Sequence, residues 1–494
     1  MIPCIFDITA KRATLGGAEV AMEEVTTGRT ITYAVLDERA ARAATLLTAR
    51  GVREGDRIAI LSRNRIEFFE ILFACAKIGA ILVPLNWRMP VAELGHLLAD
   101  CTPSLIVHGH EDAATARALA GEKTGLLGLD EEYPTQRDQT TLHPGRRQWP
   151  ANGVWYLLYT SGTTGQPKAV IYTFQMAMVN YVNISQAIGL TGRDTTLNFL
   201  PLFHTAGINL HTLPTLIVGG RVLIMPGFDA DLMMDLVAAG RLDAIFGVPA
   251  IYQTLSLHPR FGQVDMTRLR HWGCGGAPLS DTLVRKFLER GARVCNGMGM
   301  TETGPTAFIA DPNHVADKIG SVGKPQILCG ARIVGPDGRD VPPGETGELW
   351  FGGPGITPGY WNRPDATAAA FSADGWLRSG DLARCDADGY YYVVGRIKEM
   401  FISGGENIYP AEVENVLSQH PGLLEAAVVG VPDEKWGEVG RAYILPRPGQ
   451  PMPSTDDLVH FCRERLAPYK VPKSFIAVNE FPRTAAGKIQ KHRL

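Results

Sequence analysis

Residues 159–168 read YTSGTTGQPK. Hydroxyl side chains and glycines crowd into one short loop that ends on a single lysine. Such a loop suits an anion, because turn N–H groups, hydroxyls and an ammonium can converge on phosphate oxygens. It is not the Walker phosphate loop, which requires G-x-x-x-x-G-K-[ST]. Here Gly162 and Gly165 are three apart, and Lys168 follows Pro167. A polar surface turn is the other reading of the same composition.

Three more stretches carry suitable chemistry. MGMTETGP, residues 298–305, sets Glu302 between threonines and beside glycines. That carboxylate could ligate a magnesium ion escorting nucleotide phosphates; a solvated glutamate is the plainer reading. SGD, residues 379–381, and GRIKEMFISGGENIYP, residues 395–410, offer Asp381 to accept ribose hydroxyls and Arg396 to reinforce it. Gly404-Gly405 permits a sharp turn or a close ligand approach. RTAAGKIQK, residues 483–491, places Lys488 between Gly487 and an apolar residue. Taken singly, each of these also reads as structural or solvated.

Elements must hold these groups. From Thr32 onward the pattern alternates helix and strand. Residues 35–52 put Leu36, Ala40, Ala43 and Leu47 on one helical face, and Gly51 can end that helix. RIAIL, AILVPL, VWYLLY, RVLIM and DAIFGV read as short buried strands. Helices RIEFFEILFACAKIG and DLMMDLVAAG lie between some of them. The alternation predicts α/β layers with parallel strands. After about residue 330, apolar and turn residues alternate as in antiparallel hairpins. From Arg396 a short α+β sequence follows, with Pro410 opening a helix that carries Val413, Val416 and Leu417 as an apolar stripe.

At 494 residues the chain exceeds one hydrophobic core, so at least two domains are expected. A net charge of −3 offers no nucleic-acid surface. No apolar run reaches the roughly 18–20 residues of a membrane span, and the N-terminus has no secretory pattern. Eight scattered cysteines without a C-x-x-C pair read as reduced thiols, which points to a cytoplasmic protein. The terminal His492-Arg493-Leu494 reads as a basic terminus and only distantly as a peroxisomal address.

YTSGTTGQPK, PLFHTAG, GCGGAPL, GMTETGP, SGD, GRIKEMFISGGENIYP and PRTAAGKIQK occur in the order found in the adenylate-forming superfamily. From about residue 30 to its end the chain resembles that group of acyl- and aryl-CoA synthetases, nonribosomal adenylation domains and luciferases. The resemblance implies an α/β fold. A large N-terminal domain, residues 1–395, would consist of layered α/β subdomains plus a β-rich subdomain. A small mobile α+β domain, residues 396–494, would turn about a hinge at Lys398. The implied reaction joins a carboxylate to AMP with release of pyrophosphate, then passes the acyl group to an acceptor.

On that resemblance Thr160, Ser161, Gly162, Thr163, Thr164 and Gly165 would grip ATP phosphates, helped by Lys168. Glu302 would hold magnesium, with Thr301 beside it in the nucleotide site. Gly275, Gly276, Ala277 and Pro278 would wall the adenine, and Met298 would stand where the superfamily usually has an aromatic. Asp381 and Arg396 would hold the ribose. Lys488 would drive adenylation. The loop Ser403, Gly404, Gly405 and Glu406 would replace it for the second half-reaction, with Trp436, Tyr469 and Lys473 receiving CoA. Val471 departs from the arginine of some CoA ligases. His204 stands where amino-acid-activating relatives have an aspartate, which disfavours an amino-acid substrate and suggests a gate beside the acyl group. Phe246, Trp272, Gly275, Gly297 and Gly299 would line an apolar acyl pocket with His204, glycines leaving room. The implied substrates are ATP, an apolar carboxylic acid and CoA, with Mg2+ as cofactor. An amide ligase using an amino acid or other amine, and an inactive binding protein, are the alternatives. Homodimers are common among such relatives.

Overall fold

The strand expected ahead of the hydroxyl-rich loop forms as Val154–Thr160, inside a six-stranded sheet. The computed structural model describes residues 3–160, 167–277, 279–484 and 487–494. The expectations for Ser161, Gly162, Thr163, Thr164, Gly165 and Pro278 lie outside the described residues.

Three other strands expected from the sequence form at Arg57–Leu61, Ile81–Pro84 and Arg221–Ile224. In the first sheet Arg57–Leu61 pairs in parallel with Ile81–Pro84 and with Leu105–His108, and Ile81–Pro84 pairs in parallel with Val154–Thr160. After the loop the chain returns as Lys168–Thr173, antiparallel to Val154–Thr160, with Lys168 opposite Thr160. The two flanking strands thus pair as a hairpin, whereas a Walker loop joins a strand to a helix.

Helix Ile66–Ile78 explains why this region layers. Residues 66–77 are all buried, so the helix has no solvent face and must lie between two apolar surfaces. Its side chains share one core with Ile58, Leu82 and Tyr156 of the six-stranded sheet and with Met22, Val222 and Ile224 of a nine-stranded one. Helix Tyr33–Ala49 packs beside it through Leu36, Ala40, Ala43 and Leu47. The nine-stranded sheet has a parallel centre and antiparallel margins. Its strands His271–Cys274 and Val294–Met298, next to Ala244–Gly247, end at the glycine-rich segments singled out above.

The hairpins expected after residue 330 form a four-stranded antiparallel sheet of Gly330–Val334, Thr346–Gly352, Leu377–Cys385 and Tyr391–Arg396. Arg396, placed at the start of the second domain on sequence grounds, is the last residue of this sheet and stands opposite Asp381. Residues 397–400 then lead to a separate five-stranded sheet. Its core gathers Phe401, Val413, Leu417, Val428 and Leu458, with helix Pro410–Leu417 laid as predicted. Among the described residues no helix is long and apolar enough to cross a membrane.

Candidate active site

The hairpin brings Lys168 to an acidic centre that lies far away in sequence. Its ammonium stands 5.3 Å from the Tyr360 ring centroid. The Tyr360 hydroxyl donates to Glu302 Oε1 at 2.9 Å. Glu302 is buried, on the short turn Thr301–Thr303, and Thr301 is buried beside it. Burial raises the Glu302 pKa, against the opposing pull of the Tyr360 hydroxyl, Lys168 and Arg396. Tyr360 was not singled out from the sequence. The available signal was an aromatic pair inside the turn-rich ITPGYWNRP. That segment is laced to the hairpin by Ile171 N–H donating to the Gly359 carbonyl at 3.1 Å and Trp361 N–H to that of Ala169 at 2.8 Å.

Asp381 is the second buried carboxylate. Arg396 Nε donates to its Oδ1 at 3.1 Å across neighbouring strands, while the arginine side chain stays half exposed. Burial raises the Asp381 pKa, and Arg396 and Lys488 resist the rise. A carboxylate held this way by one oxygen keeps acceptor capacity for a diol.

Lys488 arrives from the other side, on the C-terminal tail. Thr484 N–H donates to the Lys488 carbonyl at 2.7 Å, and Lys488 N–H donates to Thr484 Oγ1 at 3.2 Å. Gly487 closes this turn at φ +81°, a left-handed conformation that favours glycine. Gly487 and Lys488 pack on the large domain, where Gly487 faces Val248 at 3.3 Å and Gly276 has its missing side-chain direction 3.9 Å from Lys488 Cε. Burial and the Arg396 charge lower the Lys488 pKa, while Asp381, Glu399 and Glu302 pull it back up. Lys488, Arg396, Asp381 and Glu302 thus form one electrostatic cluster assembled from the four-stranded sheet, the turn that follows the nine-stranded sheet, and the tail. His204 belongs to it, since burial first and the Lys488 charge second push its pKa down to about 4. Its Nδ1 accepts from Ala206 N–H at 3.2 Å, so the neutral ring carries its proton on Nε2.

The expected adenine wall follows strand His271–Cys274, with Gly275 buried, Gly276 exposed and Ala277 between. Met298 is partly buried and packs against the Phe308 and Phe351 cluster.

Two acyl-pocket expectations are corrected. Trp272 lies in the core of the large domain, with its ring 5.8 Å from Phe287 and its indole N–H donating to the Met266 carbonyl at 3.1 Å. The alternation of strand His271–Cys274 is the reason: Trp272 points to the helix side, and His271 and Gly273 point to the Phe246 side. The glycines do not simply leave room. A side chain at Gly299 would sit 1.7 Å from the Pro305 carbonyl oxygen, and one at Gly297 would sit 3.0 Å from that of Phe308. Close backbone packing therefore demands glycine at 299 and leaves little room for a side chain at 297. At Gly275 the contact is with Phe246 itself, at 2.8 Å, so Phe246 does lie along this wall.

The expected CoA residues lie on the small domain. Gly404, at φ +60°, donates its N–H to the Trp436 carbonyl at 2.9 Å, and the indole covers it with Cε3 2.8 Å from the side-chain direction. Ser403 is buried, and Gly405 and Lys473 are exposed. Trp436 and Tyr469 are 42% and 40% exposed, unusual for such large rings. Val471 is buried in the small-domain core, where it serves packing. Lys398 is exposed, between the two sheets.

Comparison with known proteins defines the family. The model of the AMP-binding enzyme family matches residues 10–361, and that of the AMP-binding enzyme C-terminal domain matches residues 412–488. The chain belongs to this family, the adenylate-forming enzymes. It is 44% identical to a feruloyl-CoA synthase of Amycolatopsis over 94% of this chain and 93% of that protein. It is 38% identical to an indoleacetate–CoA ligase of Aromatoleum aromaticum, over 94% and 92% of the two chains. The solved o-succinylbenzoate CoA synthetase of Bacillus subtilis, in complex with its acyl-adenylate intermediate, superposes with a TM-score of 0.90 at 31% identity, covering 100% of this chain and 98% of that one.

Proposed function

We propose that the protein is an ATP-dependent acyl-CoA synthetase for a carboxylic acid with a largely apolar body. In the first step a carboxylate oxygen bonds to the α-phosphorus of ATP and pyrophosphate leaves. In the second the CoA thiolate attacks the acyl carbon and AMP leaves. The observation that carries this reading is the seat of Lys488 against Gly276, within electrostatic reach of Asp381, Glu302 and Arg396.

The attacking carboxylate and the α-phosphate repel each other. Lys488 offsets that repulsion and stabilises the charge that builds in the transition state. No general base is needed, because the acid is ionised at neutral pH. Catalysis is then mainly positioning. Asp381 and Arg396 hold the ribose, Gly275, Gly276 and Ala277 flank the adenine, and Thr160 and Lys168 steady the phosphates. His204 is neutral at this pH and gates the acyl group without adding a competing charge. Glu302 fits a magnesium ion: its buried carboxylate gains from a cation, and one protein carboxylate plus substrate phosphates is the usual way such an ion is held. Magnesium would supply charge neutralisation on the phosphates.

Residues 1–395 and 396–494 act as the two domains, hinged near Lys398. Rotation withdraws Lys488 and brings in Ser403, Gly404 and Gly405, with Trp436, Tyr469 and Lys473 receiving CoA. Support comes from the exposed rings of Trp436 and Tyr469, which lack an apolar cover while Lys488 is docked. The eight free cysteines suit a reducing, cytoplasmic setting. A homodimer is checked by light scattering.

Mass spectrometry of products tests the reading. The protein is incubated with ATP, magnesium and a panel of carboxylic acids, then with CoA or with a pool of amino acids. Acyl-CoA formed only with CoA is expected. AMP release with an N-acyl amino acid and no thioester would turn the assignment to an amide ligase. Silence with every acid would leave a binding protein.

A further inference from the structure

The Lys488 ammonium makes no ion pair among the described residues, although three carboxylates act on it electrostatically. Two of them, Asp381 and Glu302, already have work in the proposed function. The third, Glu399, has none. It sits in the link 397–400, where its N–H donates to the Arg396 carbonyl at 3.0 Å, one turn past the arginine that meets Asp381.

A second tail lysine engages Glu399 instead. Lys491 Nζ donates to Glu399 Oε2 at 3.0 Å and stands 2.7 Å from Glu414 Oε1. Its side chain is only 17% exposed, which a lysine tolerates when it is paired. Glu414 lies on helix Pro410–Leu417, and the same oxygen accepts the Val428 N–H at 2.7 Å. Lys491 is therefore pinned from below by an anchored carboxylate. From the same direction the tail is tied by Gln490 N–H to the Pro482 carbonyl at 2.8 Å. A brace for the tail would be served by Glu414 alone. The second contact reaches out of the small-domain core to the one carboxylate near Lys488 that the reaction does not use.

We propose that Lys491 is a positioning residue for adenylation: it holds Glu399 away from Lys488, so that the Lys488 ammonium stays open to the reacting oxygens. This rests on the synthetase reading and adds a residue to its first step. An ammonium paired with a protein carboxylate has its charge largely neutralised before the α-phosphate arrives. A released Glu399 would also bring a negative charge toward a step in which two anions must already meet. Lys491 removes both penalties without touching the substrate.

The test uses the full chain and reads the two half-reactions separately. Lys491→Met alone would strand the anchored Glu414, so the variants are made on Glu414→Gln, which keeps an oxygen for Val428. Glu414→Gln itself should adenylate at close to the unaltered rate. Adding Lys491→Met should slow pyrophosphate release at saturating ATP by about tenfold or more, with the KM for ATP little changed. Thioester formation from a supplied acyl-adenylate should be kept. Adding Glu399→Gln to that chain should restore most of the lost rate, because the competing carboxylate is gone. In the unaltered chain Lys491→Arg should keep adenylation, since a guanidinium can hold both carboxylates. No loss with Lys491→Met, equal loss in both half-reactions, or a loss that Glu399→Gln does not repair overturns the proposal and leaves the synthetase reading standing. Silence of the unaltered protein with every acid overturns both. If the Lys491→Met chain does not fold, Lys491→Gln takes its place in the same series.

Discussion

Three charged side chains of the site are held against their own preference. Asp381 and Glu302 are buried carboxylates with raised pKa values, and Lys488 is an ammonium with a lowered one. Each is tolerable only because the others are near. Lys488→Ala should therefore lower adenylation by about 100- to 1000-fold, the scale of losing one transition-state charge contact. Thioester formation from a supplied acyl-adenylate should be largely kept. Single-turnover assays of the two half-reactions check this, and equal loss in both would end the division of labour. His211, buried at the end of the helical turn Ala206–Leu210, gives a pH prediction. Its folded-state pKa of about 4 lies below the ordinary 6.5, so the unfolded chain takes up the proton first. Stability is thus full above pH 6.5 and is lost as pH falls toward 4, by roughly 3 kcal/mol for this residue. Denaturant titrations across that range should show the slope, and His211→Phe should flatten it. Glu399 and Lys491 were hidden in the sequence because charged residues in a linker and a basic tail read as solvated. Trp272 misled for the opposite reason: its type suggested a pocket, and only the strand's alternation shows which way it faces.

Elements were more legible than pockets. The strands Arg57–Leu61 and Ala244–Gly247 and the helix Pro410–Leu417 follow from short apolar runs, a stripe and a proline at the first turn. The order of pairing did not follow. The return strand Lys168–Thr173 is antiparallel, and local sequence holds no trace of its partner's direction. The same hairpin stitches Tyr360 to Glu302 through a tertiary contact that no local pattern encodes. On the small domain the turn at Gly404 and the indole of Trp436 form one unit. Trp436→Ala should raise the KM for CoA roughly threefold to tenfold, the worth of one stacked ring, and leave that for ATP nearly unchanged. Steady-state kinetics with each substrate varied in turn checks this, and an unmoved KM for CoA would remove Trp436 from the acceptor site.

At the scale of the molecule, two layered sheets share one core through the fully buried helix Ile66–Ile78, which makes the large domain a rigid platform. The small domain has its own core and reaches the platform by polar and tail contacts, including Asp281 N–H to Asn415 Oδ1 at 3.4 Å. Separate cores suit a body that leaves and returns. Lys398→Pro, which stiffens the link, should preserve adenylation and sharply reduce transfer to CoA. Pyrophosphate release and thioester formation, measured side by side, separate the two. Equal retention of both would remove the hinge from this position.

On the proposed mechanism Lys488 would also serve as a stopper. Seated over Gly276, it would narrow the path by which bulk water reaches the acyl-adenylate, a mixed anhydride that water destroys. Unseating it starts a race between thiol and water. The slow appearance of free AMP and free acid in the absence of CoA then serves as a clock, ticking once for each time the small domain lets go too early.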